Sequence, residues 1–176
     1  MLIIAALFGA VIGSFLNVCI YRIPEERSIL KPGSACPNCS STIRFYDNIP
    51  VLSYLVLKGK CRSCDQSISI RYLLVELLTA GFTATVAAVF GMTSLGATYL
   101  VLVYILIVIT VIDLYHMIIP DTLVGLGLIT GITAILLGAI DIGWKDAFMG
   151  AFIFGGFLYV VALVGKIIFK KENKSF

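Results

Sequence analysis

Four cysteines in two pairs, Cys36-Pro-Asn-Cys39 and Cys61-Arg-Ser-Cys64, stand in a polar stretch near the start of an otherwise apolar chain. Each Cys-x-x-Cys pair predicts a turn that sets two thiolates side by side. Four thiolates complete a tetrahedron around Zn²⁺ with metal–sulfur bonds of ~2.3 Å. Four protein ligands leave no open coordination position, so the expected metal is structural rather than a Lewis acid. Pro37 and Gly59-Lys60 suit such turns, and the charges of Lys58, Lys60 and Arg62 would favour the thiolate form. Two disulfides or a redox pair are the competing chemistries. A reducing cytoplasmic location argues against disulfides, and a thioredoxin-like redox pair expects one Cys-x-x-Cys on an α/β scaffold. Cys19, the fifth cysteine, lies in an apolar segment and reads as a small packing residue.

The acids are the second set. Asp113 follows the apolar run Tyr104 to Ile112 and precedes Met117-Ile-Ile119. An ionisable group at membrane depth is costly and points to function. Asp113 could be a general acid or half of an aspartic dyad, or an ordinary interfacial acid at a helix end. Asp121 is a conceivable partner: a continuous helix over 113–121 would hold the two about 12 Å apart at 1.5 Å per residue, but Pro120 argues against continuity. A simpler role for Asp121 is N-cap of the helix that follows. Glu76 lies about one turn inside an apolar segment, with Arg71 and Arg62 as candidate partners. His116, the single histidine, could meet Asp113 on one helical face, although an interfacial side chain is the simpler reading.

The elements that must position these groups follow from composition. Of the 176 residues 60% are hydrophobic and 13% charged, against about 25% charged in a soluble domain. Apolar runs over 1–20, 73–90, 95–112, 123–140 and 147–169 predict about five transmembrane helices. The first has no basic n-region and no cleavage site, so it is expected to be retained. Eight of the thirteen Lys and Arg fall between Arg22 and Arg71, and Lys166, Lys170, Lys171 and Lys174 crowd the C-terminus. This distribution obeys the positive-inside rule if the cysteine loop and the C-terminus are cytoplasmic and Asp141–Asp146, with Trp144 as interfacial anchor, lies outside. Basic loops of a membrane protein explain the net charge of +3 better than a nucleic-acid partner does.

The expected fold is therefore an all-α polytopic membrane bundle with a small zinc-binding cytoplasmic loop. Its expected parts are a first helix at 1–20, the loop at 21–71, and the remaining helices and basic tail at 72–176. Gly9 and Gly13 have the spacing that lets two membrane helices approach closely. No internal repeat is visible.

Several segments together resemble the type IV prepilin peptidases. They are Gly13-Ser-Phe-Leu-Asn17-Val, Tyr21-Arg22-Ile-Pro24, Ser34-Ala-Cys36-Pro-Asn-Cys39 and Asn48-Ile-Pro50-Val-Leu-Ser53-Tyr54. Further along come Gly59-Lys60-Cys61-Arg-Ser-Cys64, Arg71-Tyr-Leu-Leu-Val75-Glu76-Leu-Leu-Thr79-Ala80 and Ile112-Asp113, with His116 and Ile119-Pro120-Asp121 after it. The resemblance implies a bifunctional enzyme of the bacterial cytoplasmic membrane. Such an enzyme removes the leader of type IV prepilins and pseudopilins on the cytoplasmic side, in pilus and type II secretion systems. It then methylates the new N-terminal amine with S-adenosylmethionine. The resemblance matches Asp113 to the first of two catalytic aspartates and implies zinc at Cys36, Cys39, Cys61 and Cys64. It implies no residues for S-adenosylmethionine; Glu76 and the polar loop are candidates by location only. Prepilin leader peptides and membrane lipid are the expected partners.

The resemblance places the second aspartate in a Gly-x-Gly-Asp motif soon after the helix equivalent to Gly156–Phe169. This chain reads Gly165-Lys-Ile-Ile-Phe-Lys-Lys-Glu-Asn-Lys-Ser-Phe176 there. The expectation is a chain truncated before that motif and inactive in proteolysis alone, with Glu76, His116 and Asp121 as possible accessory residues. The alternative is a non-catalytic membrane adaptor in pilus or type II secretion assembly. A proton-relay transporter using Asp113 and Glu76 is weaker, because no inverted repeat is visible.

Overall fold

The computed structural model describes residues 1–31, 33–36 and 38–172. Pro37 and the tail residues 173–176, Lys174 among them, lie outside the described residues. Six α-helices occur among the described residues: α1 (Leu2–Arg22), α2 (Leu52–Val56), α3 (Ile70–Phe90), α4 (Ser94–His116), α5 (Asp121–Leu136) and α6 (Trp144–Glu172). No strand occurs among them; two isolated β-bridges lie in the loop between α1 and α3.

Local chemistry sets the helix ends. At the end of α1, Ile23 keeps helical angles (φ −61°, ψ −46°) and bonds back to the Cys19 carbonyl, and Pro24 after it has no amide with which to continue the ladder. Ser69 caps α3 by accepting from the Arg71 amide, and Gly91 ends it at φ 63°. Thr93 then caps α4, so the turn between α3 and α4 is short. α4 runs beyond the expected limit at Ile112 and takes in Asp113 and His116 before Met117 closes it in the left-handed conformation. Pro120 follows, and its carbonyl accepts from the amides of Leu123 and Val124. Pro120 therefore occupies the cap position expected for Asp121, which stands in the first turn of α5. An acid there complements the helix dipole.

Among the described residues four helices are long and apolar enough to cross a membrane: Leu2–Arg22, Ile70–Phe90, Ser94–His116 and Trp144–Gly165. The segment expected as a span at 123–140 is shorter. α5 has 16 residues, about 24 Å at 1.5 Å per residue, against a hydrocarbon core of ~30 Å. Gly138, at φ 62°, lies in the turn that follows.

The chain divides into two compact units, Met1–Ala134 and Ile135–Phe176. In the first, α1 packs chiefly on α3, and both pack on α4. Cys19 is buried in the core with Ile20, Val75, Val108 and Ile112, as a small packing residue should be. The second unit contains α6, whose Phe152, Phe154 and Phe157 are exposed.

The α1–α3 contact is close because Gly9 and Gly13 face it. A Cβ on Gly13 would stand 2.8 Å from the Cα of Glu76 and 3.1 Å from the Cβ of Thr79. A Cβ on Gly9 would stand 2.7 Å from the Cβ of Thr83 and 2.8 Å from the Thr79 carbonyl. Asn17 continues the line, donating from its amide to the Tyr72 carbonyl at 3.0 Å. The sequence rises along α1 as it falls along α3, so the two helices are antiparallel and the loop joins adjacent ends. Thr79 and Thr83 answer their own hydroxyls within α3, at Val75 and Thr79, and Thr83 also meets the Tyr104 hydroxyl of α4 at 2.9 Å. Gly13→Ala should lower stability by about 1–3 kcal/mol, the usual cost of overpacking. Gly81→Ala, in open space on the same bundle, should not. Denaturant titration of the protein in mixed micelles would check the contrast; equal effects would remove the close-packing account.

Candidate metal centre and neighbouring acids

The two Cys-x-x-Cys segments fold into the same turn twice. In the first, the Cys36 amide donates to Ser41, Ser40 to Cys36, and Ile43 to Ser34; in the second, Cys61 donates to Gln66, Asp65 to Cys61, and Ile68 to Gly59. The bridges Ala35–Thr42 and Lys60–Ser67 correspond, as do Ser40 and Asp65, both at positive φ. This is an internal structural repeat that sequence inspection did not expect. Its trace is short: Cys-x-x-Cys, three residues, then Ile43 or Ile68. Three of the eight positions carry the likeness, too few to stand out against the chain.

The repeat brings four sulfurs together. The Sγ atoms of Cys36, Cys39, Cys61 and Cys64 all lie within 4.8 Å of one another, and those of Cys36 and Cys64 are 3.9 Å apart. Ligands ~2.3 Å from a tetrahedral metal sit about 3.8 Å from each other. All four cysteines are free thiols. The set fits a four-coordinate metal ion and can hold one, with no ligand position left for substrate.

Electrostatics also favours a cation at this point. The Ser41 hydroxyl and amide beside Cys39 bring its thiol down to about 6. Backbone amides of Ser63 and Cys64 lower Cys61. Backbone dipoles, not the lysines and arginine singled out in the sequence, are the leading cause there. Cys64 goes the other way. The Gln66 amide and Asn38 pull it down, but burial and the neighbouring sulfurs of Cys39 and Cys61 outweigh them and push it to about 11. Sulfurs this close titrate as a coupled group, so a thiolate at one raises the cost at the next. A divalent cation removes that conflict and deprotonates its ligands outright.

Arg62 is committed elsewhere. It forms a two-point ion pair with Asp47, at 2.6 Å from Nη2 to Oδ1 and 2.9 Å from Nε to Oδ2. This pair ties the second knuckle to the 3-10 turn Phe45–Asn48, and the guanidinium holds the Asp47 carboxyl below its usual range. Arg71 stacks its guanidinium 5.2 Å from the ring centres of both Tyr72 and Tyr115. Neither arginine is on Glu76, in contrast to the sequence expectation. Glu76 is buried, 8% exposed, and its Oε2 accepts from the Val51 backbone amide at 2.7 Å. The pairs Arg62–Asp47, Arg71–Tyr115 and Glu76–Val51 were missed because nothing in local spacing marks them.

The stacking of Arg71 on Tyr115 puts the start of α3 beside the end of α4. Asp113 therefore sits at the end of the bundle that bears the cysteine loop. It is exposed, one turn before the end of α4, and its carbonyl accepts from the Met117 amide. No hydrogen bond or ion pair joins its side chain to His116, Asp121 or another described residue. His116 and Asp121 are also exposed. Asn17, 2% exposed, is a buried residue of the first motif; its amide oxygen is left without a partner.

Elemental analysis of purified protein should find about one zinc per chain. Cys64→Ser should release it and make the loop sensitive to limited proteolysis, because metal binding at such sites is coupled to folding. A metal-free protein with a mapped disulfide among these cysteines would contradict the assignment.

Residues 7–90 match the bacterial Peptidase A24 N-terminal domain and residues 100–172 the type IV leader peptidase family. The chain is 41% identical over 166 residues to a prepilin leader peptidase/N-methyltransferase of Myxococcus xanthus, covering 93% of this chain and 49% of that protein. It is 36% identical over 190 residues to a type 4 prepilin-like proteins leader peptide-processing enzyme of Escherichia coli O78:H11, covering 97% and 70%. It is 38% identical over 198 residues to a prepilin leader peptidase/N-methyltransferase of Dichelobacter nodosus, covering 97% and 68%. The chain thus spans from about half to about two thirds of the length of these relatives. No solved structure matches it. Relatedness at this level over nearly the whole sequence means that the chain belongs to the type IV leader peptidase family.

Proposed function

We propose that this chain is the part of a membrane aspartic endopeptidase that carries the metal-stabilised loop and the first of two catalytic aspartates. Its substrates would be the leaders of type IV prepilins or pseudopilins, and the same protein would methylate the new N-terminus. The observation that carries the proposal is the placement of Asp113: a carboxyl on the last turns of an apolar helix, at the end of the bundle that bears the four-cysteine loop. The names of the relatives support it. The division into helix 1–20, loop 21–71 and helices 72–176 belongs to the same reading. So does zinc as the structural ion at Cys36, Cys39, Cys61 and Cys64.

An aspartic endopeptidase needs two carboxyl groups around one water. One takes a proton from the water as it attacks the scissile carbonyl and later passes that proton to the departing amine; the other, protonated, gives its proton to the carbonyl oxygen and recovers it as the tetrahedral intermediate collapses. Asp113 serves as one of them. Within residues 1–176 no Gly-x-Gly-Asp segment occurs, and Glu76 is occupied by the Val51 amide. The proposed second carboxyl therefore comes from a Gly-x-Gly-Asp segment outside this sequence. S-adenosylmethionine would supply the methyl group. Glu76 and the polar loop are candidates for holding it by location, and it plays no part in the cleavage step.

The 176-residue chain alone should cleave a prepilin leader at least about 10³-fold more slowly than the chain supplemented with a Gly-x-Gly-Asp segment in cis or by co-expression. Asp113→Asn should abolish the restored activity. Full cleavage by the unsupplemented chain would move the second acid to Asp121, Glu76 or Glu172. Failure of every supplemented form would favour the adaptor alternative.

The bacterial inner membrane, with the loop cytoplasmic, is the proposed location. An impermeant thiol reagent applied to intact spheroplasts should label Met92→Cys, in the turn between α3 and α4, and not Leu30→Cys, in the loop. The reverse pattern would invert the topology.

A further inference from the structure

One residue of the loop adopts a backbone conformation that its type avoids. Val51 is β-branched and sits at φ 63°, ψ −51°, where its Cβ meets the backbone. The Leu52 amide donates to the Pro50 carbonyl at 2.6 Å, which closes Pro50-Val51-Leu52 into the strained form of the γ-turn. Such a conformation persists only where the surroundings over-determine it. Here the Val51 N–H points at the buried Oε2 of Glu76, 2.7 Å away. Glu76 itself cannot shift readily, because its Cα lies in the close α1–α3 contact against Gly13.

The turn passes its position on. α2 starts at the next residue, and Tyr54 within α2 donates from its hydroxyl to the Ile68 carbonyl at 3.3 Å. The Tyr54 ring also fills the space a side chain would need at Gly59, and the Gly59 amide returns to the Tyr54 carbonyl at 2.8 Å. Gly59 and Ile68 are the paired ends of the second knuckle. A line of hydrogen bonds and contacts thus runs from a carboxyl inside the helix bundle to the turn that carries Cys61 and Cys64.

We propose that Glu76 is a positioning residue: its carboxyl oxygen seats the Val51 turn and so fixes α2 and the second knuckle on the loop-bearing end of the bundle. What the position requires is a buried acceptor of about this length. The inference does not depend on the peptidase reading.

Hydrogen exchange on the full zinc-loaded chain in lipid nanodiscs tests it with three substitutions. Glu76→Met keeps the volume and removes the acceptor. Val51→Pro acts from the loop side, removing the donor and forcing φ negative. Glu76→Gln retains an acceptor oxygen. Exchange over residues 49–57 should accelerate about tenfold or more in the first two, while peptides of α1 and α4 keep their protection. In exchange over residues 49–57 the double variant Glu76→Met with Val51→Pro should be no worse than either alone, because both break the Val51–Glu76 bond; the further bond of Glu76 to Ser14 lies within the bundle. Glu76→Gln should stay within about threefold of the parent. Unchanged exchange in both disruptive variants would overturn the proposal. So would a Gln variant as fast as the Met variant, or effects that multiply in the double variant. Because Val51→Pro lies outside the bundle, unchanged exchange in it overturns the proposal even if Glu76→Met does not fold.

Discussion

The close approach of α1 and α3 is the contact on which the rest of the first unit depends. Between apolar helices in lipid there is little hydrophobic gain from association, so packing must supply it. Gly9 and Gly13 let the α3 backbone come within van der Waals range, and Thr79 and Thr83 answer their own hydroxyls along the helix rather than leaving them bare. Two consequences follow. The ends of α1 and α3 are held side by side, which closes the loop between them. Glu76 is also carried into the interface, where a buried carboxyl must find a donor and finds the Val51 amide.

The loop is built on different terms. It has few buried side chains, and Phe45, Leu52, Leu55 and Val56 are exposed, so burial alone cannot hold it. Its order comes from point attachments instead. Four sulfurs converge on one position, Arg62 grips Asp47 with two bonds, and Arg22 at the end of α1 reaches the carbonyls of Ser28 and Gly33. A small segment without a core is where a structural metal contributes most. Without a metal the thiolates favoured at Cys39 and Cys61 raise the cost of ionising Cys64; a bound cation would turn that conflict into four ligand bonds.

Local and non-local information separate cleanly in this chain. The helices were legible because each apolar run carries its own signal, and the metal centre was legible because a Cys-x-x-Cys pair makes its turn within a few residues. Helix ends were less so. α4 takes in Asp113 and His116 because nothing in that stretch breaks a helix before Met117, and α5 stops short of the span expected for it. The likeness of the two knuckles lies in hydrogen bonds that any residue can make, so side-chain identity hardly records it.

By itself the sequence determined the all-helical membrane architecture, the four-sulfur ligand set and the candidacy of Asp113 and Glu76, all properties of residue type and short spacing. Tertiary structure alone decided the partners. Glu76 meets a backbone amide and not Arg62 or Arg71; Arg62 meets Asp47; Arg71 lies between two tyrosines, one of them on another helix. The physical reason is the range of the interactions. Periodicity and turn chemistry act over a few residues, whereas Glu76–Val51 and Arg71–Tyr115 join segments that become neighbours only once the loop and α4 have packed on α3, and Arg62–Asp47 joins two separate parts of the loop.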